Sequence, residues 1–199
     1  VSYGYVDNRG QIWLCTRHLI YLYNSRNVQV TYIRNRVDEN ITSILQTDDT
    51  HYFIGTDHGV HYATLKDGIL QLEPCDKLDA LNLQVNELYL DKATRKVFIG
   101  TFLKGIFVYD LNRHRLDQLQ TELTDITINC IRDFGLNTLL IATDGAGVYR
   151  LNTDTYECEP YITADYNRYN AMNGNSITDL YIDDERRIWM ANFPIGITV

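Results

Sequence analysis

The sequence is short of positive charge: 18 Lys and Arg stand against 26 Asp and Glu, a formal net charge of -8. That balance argues against a chain built to hold nucleic acid or an anionic membrane surface. No stretch approaches the ~18 consecutive apolar residues that a spanning helix needs, and Val1-Ser2-Tyr3-Gly4 offers neither a basic nor an apolar leader region. The expectation is a soluble chain with no address of its own and no direct membrane contact. The four cysteines, Cys15, Cys75, Cys130 and Cys158, form no CxxC and show no zinc-type pairing. Cys15 and Cys130 fall in apolar runs and read as buried small hydrophobes, whereas Cys75 and Cys158 lie beside Pro74 and Pro160 in expected connections. Proline is scarce at 3 residues, as are Trp at 2 and Phe at 6, but there are 15 Tyr. Tyrosine and β-branched residues suit pleated, half-buried surfaces, so an all-β chain is expected. With 45% hydrophobic residues there is enough apolar surface for a packed core.

One short pattern recurs five times: Ile12-Trp13-Leu14-Cys15-Thr16, Tyr52-Phe53-Ile54-Gly55-Thr56, Val97-Phe98-Ile99-Gly100-Thr101, Leu139-Leu140-Ile141-Ala142-Thr143 and Ile188-Trp189-Met190-Ala191-Asn192. Their last positions are 40, 45, 42 and 49 residues apart, the spacing of propeller blades. The flanks repeat as well. An apolar pair three apart precedes the last four anchors: Ile41 and Ile44, Val85 and Leu88, Ile128 and Ile131, Ile177 and Leu180. A turn aspartate comes next, Asp7, Asp48, Asp91, Asp133 or Asp183. After the anchor come a short turn, usually Gly, and another apolar strand, as in Gly59-Val60-His61-Tyr62 and Gly105-Ile106-Phe107-Val108-Tyr109.

Each repeat therefore reads as four antiparallel strands joined by turns whose Asp, Asn and Gly supply the special backbone angles. A lone four-stranded sheet cannot bury both faces, but stacked sheets can, which accounts for anchors that are apolar at consecutive positions. The predicted architecture is an all-β, partial β-propeller of about five four-stranded blades, roughly 1-36, 37-80, 81-123, 124-172 and 173-199. The small anchor residues suit close approach of neighbouring backbones, and the following Thr suits a bond into the next turn.

These residues resemble the two-component regulator propeller repeat family, found in periplasmic sensor regions of hybrid two-component histidine kinases. The resemblance rests on Asp7-Asn8-Arg9-Gly10-Gln11-Ile12-Trp13, Phe53-Ile54-Gly55-Thr56-Asp57-His58-Gly59, Tyr109-Asp110 and Asn175-Ser176-Ile177. It spans the whole chain, with Leu140 in the aromatic place, Asn192 in the Thr place and Leu19 in the Gly place. It implies a periplasmic, non-catalytic sensing segment cut from a longer kinase-bearing parent, recognising oligosaccharides released by glycan breakdown. Expected partners are the oligosaccharide, the rest of the parent chain and a second copy through self-association. The alternative is a scaffold or protein-docking propeller.

Strand alternation places the second-to-third turns and the fourth-to-first connections on one rim and the aspartate turns on the other. The first rim varies between copies and gathers the candidate ligand contacts Arg17, His18, Asp57, His58, Phe102, Lys104, Asp144 and Phe193. Tyr166, Arg168 and Tyr169 join them from the connection Asp165 to Asn175. Flat aromatics beside amide and guanidinium donors suit sugar rings, although polar loops alone have the same composition. His58-x-x-His61 with Asp57 reads as turn and strand residues, so neither a metal nor a cofactor is expected. Gly145-Ala146-Gly147 reads as a tight hairpin, and Asn40-Ile41-Thr42 as a chance glycosylation sequon. The five turn aspartates recur in every copy, which suits capping and not the unique carboxylate pair of a glycosidase.

Overall fold

The computed structural model describes residues 1–34, 37–165, 172 and 174–199. The first sheet contains β1 (Tyr3–Val6), β2 (Gln11–Cys15), β3 (Leu19–Asn24) and β4 (Gln29–Arg34), hydrogen-bonded in chain order. The second repeats that meander with β5 (Ile41–Gln46), β6 (His51–Thr56), β7 (Val60–Lys66) and β8 (Ile69–Glu73). A single helical turn, α1 (Asp76–Asp79), leads to the third sheet of β9 (Val85–Asp91), β10 (Lys96–Thr101), β11 (Ile106–Asp110) and β12 (Arg115–Gln118). The fourth holds β13 (Ile128–Gly135), β14 (Thr138–Thr143), β15 (Val148–Asn152) and β16 (Cys158–Ile162). The fifth shows three strands, β17 (Ile177–Ile182), β18 (Ile188–Asn192) and β19 (Gly196–Thr198). Such meandering antiparallel sheets, each the product of one repeat, are the blades of a β-propeller. Cys158 opens β16 and does not lie in a connection as the sequence suggested, because the fourth strand begins directly after the Asp154-Thr155 hairpin.

Local chemistry explains why the repeats fold alike. In each aspartate turn the carboxylate accepts backbone N–H groups two or more residues ahead: Asp7 from Arg9 and Gln11, Asp48 from Thr50 and His51, Asp91 from Ala93 and Thr94, Asp133 from Gly135, Asp183 from Glu185 and Arg187. The side chain thus satisfies donors that the turn leaves outside the ladder. At the other end of the anchor strand a Thr hydroxyl donates to the carbonyl that opens the next strand. The pairs are Thr16 to Leu19, Thr101 to Gly105 and Thr143 to Gly147, while in the second blade the single Thr56 proton goes to Glu39 Oε2 and its oxygen accepts the Gly59 N–H at 3.1 Å.

The chain divides into two compact units, Val1–Val97 with Asp110–Leu116 and Phe98–Tyr109 with Asp117–Val199. In the first, β1 packs on β5, and β9 packs on β5 and β6. Its core joins Trp13, Ile20, Ile44, Tyr52 and Ile54, with the Trp13 ring 4.8 Å from that of Tyr52 in the next blade and tilted 41° to it. In the second, β17 packs on β13 and β14 around Cys130, Leu140, Ala142, Ile177, Leu180 and Met190. The apolar pairs three apart are all buried, and two of the first strands lie against a neighbour's anchor strand, β9 on β6 and β17 on β14. A Cβ on Gly100 would lie 2.7 Å from Ile128 Cγ2, so only glycine allows that approach.

Candidate functional site on the second-to-third turn rim

The second-to-third turns are bonded to the connections that enter the same blade. The Asp57 N–H donates to the Asn40 carbonyl at 3.2 Å, Asp144 to Thr127 at 3.0 Å and Phe193 to Ser176 at 3.0 Å. In these three blades the bond holds the variable turn beside the connection that enters the blade, so their side chains share one surface. The rim is built from loops, but loops tied to rigid strand ends.

In the first unit the rim collects ionisable groups. Arg17 Nε and His18 Nδ1 approach Asp38 Oδ1 at 4.0 and 3.4 Å. His58 Nδ1 lies 2.8 Å from Asp57 Oδ1, and the Asn40 amide donates to Asp57 Oδ2 at 2.7 Å. His61, on β7, places Nε2 3.0 Å from Glu39 Oε2, which also accepts the Thr56 hydroxyl at 2.6 Å. Burial pushes the Asp57 carboxyl up, but hydrogen bonds from His58 and Asn40 outweigh it and hold the acid below the usual carboxylate range. The bond to Asp57, followed by that residue's charge, pushes the His58 imidazole up.

Arg17, His18, Asp57 and His58 are thus brought together, and Glu39 joins them although no local motif marked it. Its partners lie 17 and 22 positions away, so the only sequence signal was its place in a fourth-to-first connection. The sequon is engaged inside the fold, with Asn40 bound to Asp57 and the Thr42 hydroxyl donating to the Val85 carbonyl at 2.5 Å.

In the second unit Lys104 pairs with Asp125 at 3.5 Å, and Asp144 accepts the Ser176 hydroxyl. Gly145 and Gly147 both donate N–H groups to the Asn175 carbonyl, at 3.1 and 2.8 Å. The Gly145-Ala146-Gly147 segment is therefore a hairpin turn, and φ is +84° at Gly147, where an added Cβ would meet the Ile162 carbonyl at 2.5 Å. Phe102 and Phe193 keep 46% and 67% of their surface exposed, an unusual state for phenylalanine. Tyr166, Arg168 and Tyr169 lie outside the described residues.

No family model matches the sequence, and no curated relative does. Solved structures do match. The extracellular domain of BT4673, a proposed hybrid two-component system of B. thetaiotaomicron, superposes with a TM-score of 0.74 at 26% identity, over 94% of this chain and 25% of that one. The extracellular domain of the proposed hybrid two-component system BT3049, from the same organism, gives 0.75 at 21% identity over 99% and 26%. The fold is that of those sensor propellers. Virginiamycin B lyase from Staphylococcus aureus shares the fold alone, at 10% identity and a TM-score of 0.69. The chain spans about a quarter of the length of the two-component relatives it matches.

Proposed function

We propose that the chain is the ligand-sensing propeller portion of an extracytoplasmic, periplasmic sensor of the hybrid two-component kind, and that its variable rim receives an oligosaccharide without catalysis. The likeness to the BT4673 extracellular domain over 94% of the chain carries this reading. The rim chemistry supports it: exposed Phe102 and Phe193 offer faces for C–H stacking, while the loop amides, carboxylates and cations offer partners for hydroxyls. The aspartates of the opposite rim are occupied as turn caps, which supports a structural and not a hydrolytic role for those five carboxylates.

Calorimetry of the full sensor against a panel of oligosaccharides, in chelator-treated buffer, tests the reading. Binding is expected, and Arg168→Ala or Tyr169→Ala should weaken it by about 1 kcal/mol or more, the cost of a lost charged hydrogen bond or stacked ring. Unchanged affinity in both variants moves the contact off that connection, and no binding to any glycan overturns the sensing of sugars. A docking propeller is the second reading. It is favoured by the exposed apolar face of the fifth blade, where Tyr181, Trp189 and Ile197 border a cavity of about 210 Å³.

A further inference from the structure

Glu39, Asp57 and His58 come from two chain segments, a connection and a turn, and each offers one ligand-type atom within 4.8 Å of the other two. We propose that these three residues form a binding site for a divalent cation of the zinc class, with His61 as a positioning residue.

Ligands on a tetrahedral zinc ion at bonds of about 2.0–2.2 Å stand roughly 3.3–3.6 Å from one another, so small side-chain rotations convert the present spacing into a coordination shell. The donor set chooses the metal. One imidazole with two carboxylates is borderline in hardness and suits Zn²⁺, whereas Ca²⁺ and Mg²⁺ prefer shells made wholly of oxygen. Three protein ligands leave a fourth position open on the rim, where His58 keeps 66% of its side chain exposed.

The surroundings match what a metal site requires beyond its ligands. Metal-binding carboxylates are held by hydrogen bonds from a second layer of residues. Glu39 Oε2 is held by the Thr56 hydroxyl at 2.6 Å and faces His61 Nε2 at 3.0 Å, and both residues stand on strands, at the end of β6 and within β7. Asp57 Oδ2 is held by the Asn40 amide, and the backbone bond from Asp57 to Asn40 fixes the turn against the connection that carries Glu39. A chain of His–carboxylate hydrogen bonds without a metal would use the same contacts, and the experiment separates the two.

Zn²⁺ titration of the 199-residue chain by calorimetry, with Co²⁺ as an absorbing substitute, tests the site. The expected result is one Zn²⁺ per chain and a visible Co²⁺ band that added Zn²⁺ abolishes. His58→Ala and Glu39→Gln should each weaken Zn²⁺ binding at least about tenfold, as lost ligands do. His61→Ala should weaken it about 10–100-fold, and His61→Gln, whose amide can still donate to Glu39, should recover most of the loss. His51→Ala, whose imidazole pairs with Asp48 at an aspartate turn, should bind as the parent does. Thermal melts in metal-free buffer establish that each variant is folded, and Asp57→Asn replaces Glu39→Gln if the latter is not. Absence of saturable Zn²⁺ binding, or equal affinity in the His58 and acid variants, overturns the proposal.

Discussion

Asp183 carries three kinds of bond at once: it accepts the Trp189 indole N–H at 2.9 Å, the Arg187 guanidinium at 2.7 Å and two backbone N–H groups of its turn. The indole bond first, then the Arg187 side chain and backbone, hold its carboxyl down at about 2 against the opposing effect of burial. An acid whose folded pKa lies below its unfolded value of about 3.9 adds stability that is fully present above that value. The contribution is lost as pH falls through about 2. Carboxyl-carbon NMR of Trp189→Phe should therefore find the Asp183 titration moved up toward the ordinary carboxylate range. An unmoved titration would show that the indole bond is not the main cause. At Gly100 the conflict is steric, and Gly100→Ala should cost about 1–3 kcal/mol as an overpacked core position. Adding Ile128→Ala, which removes the Cγ2 methyl that the new Cβ meets, should cost less in urea unfolding than the two single changes summed.

At the scale of the strand and turn, the anchor Thr has a duty that its sequence position made legible, since a small polar residue always follows the apolar run. Removing the Thr143 hydroxyl leaves the Ala146 N–H without its acceptor and takes one of two donors from the Gly147 carbonyl, which keeps the Thr143 N–H. Thr143→Val should thus destabilise by about 1–2 kcal/mol, with Ser at the same site close to the parent, both read by urea denaturation. A Val as stable as the parent would mean that water or a shifted turn replaces the bond. The strands, the aspartate turns and the close-packed glycines could be read from the sequence because each depends on residues within a few positions. The clustering of Glu39 with Asp57, His58 and His61 could not, because it depends on how a connection folds back over the turn of its own blade. The same limit hid the start of β16 at Cys158, where a fourth strand has little periodic signal: Glu159, Pro160 and Tyr161 are all exposed.

At the scale of the molecule, two blades repeat one device with different surroundings. Trp13 donates its indole N–H to Asp7 Oδ2 at 3.1 Å just as Trp189 donates to Asp183, and the neighbours Tyr5 and Tyr181 pair with those tryptophans in identical register. In the first blade this face is covered: Trp13 is fully buried against Tyr52, and the Tyr5 hydroxyl accepts the Gln46 N–H of the second blade at 3.2 Å. In the fifth blade Trp189 is 37% exposed, Tyr181 65% and Ile197 74%. Truncation should separate the two sites, with Trp13→Ala costing about 3–5 kcal/mol as a core cavity and Trp189→Ala costing much less. An exposed apolar face of this kind seeks cover, so the isolated chain should associate with itself as concentration rises. Tyr181→Lys together with Ile197→Lys should oppose that association by placing cations on the face. Sedimentation velocity over a wide concentration range decides the matter: a parent chain that stays monomeric, or a double variant that associates equally well, would show that this face does not drive assembly.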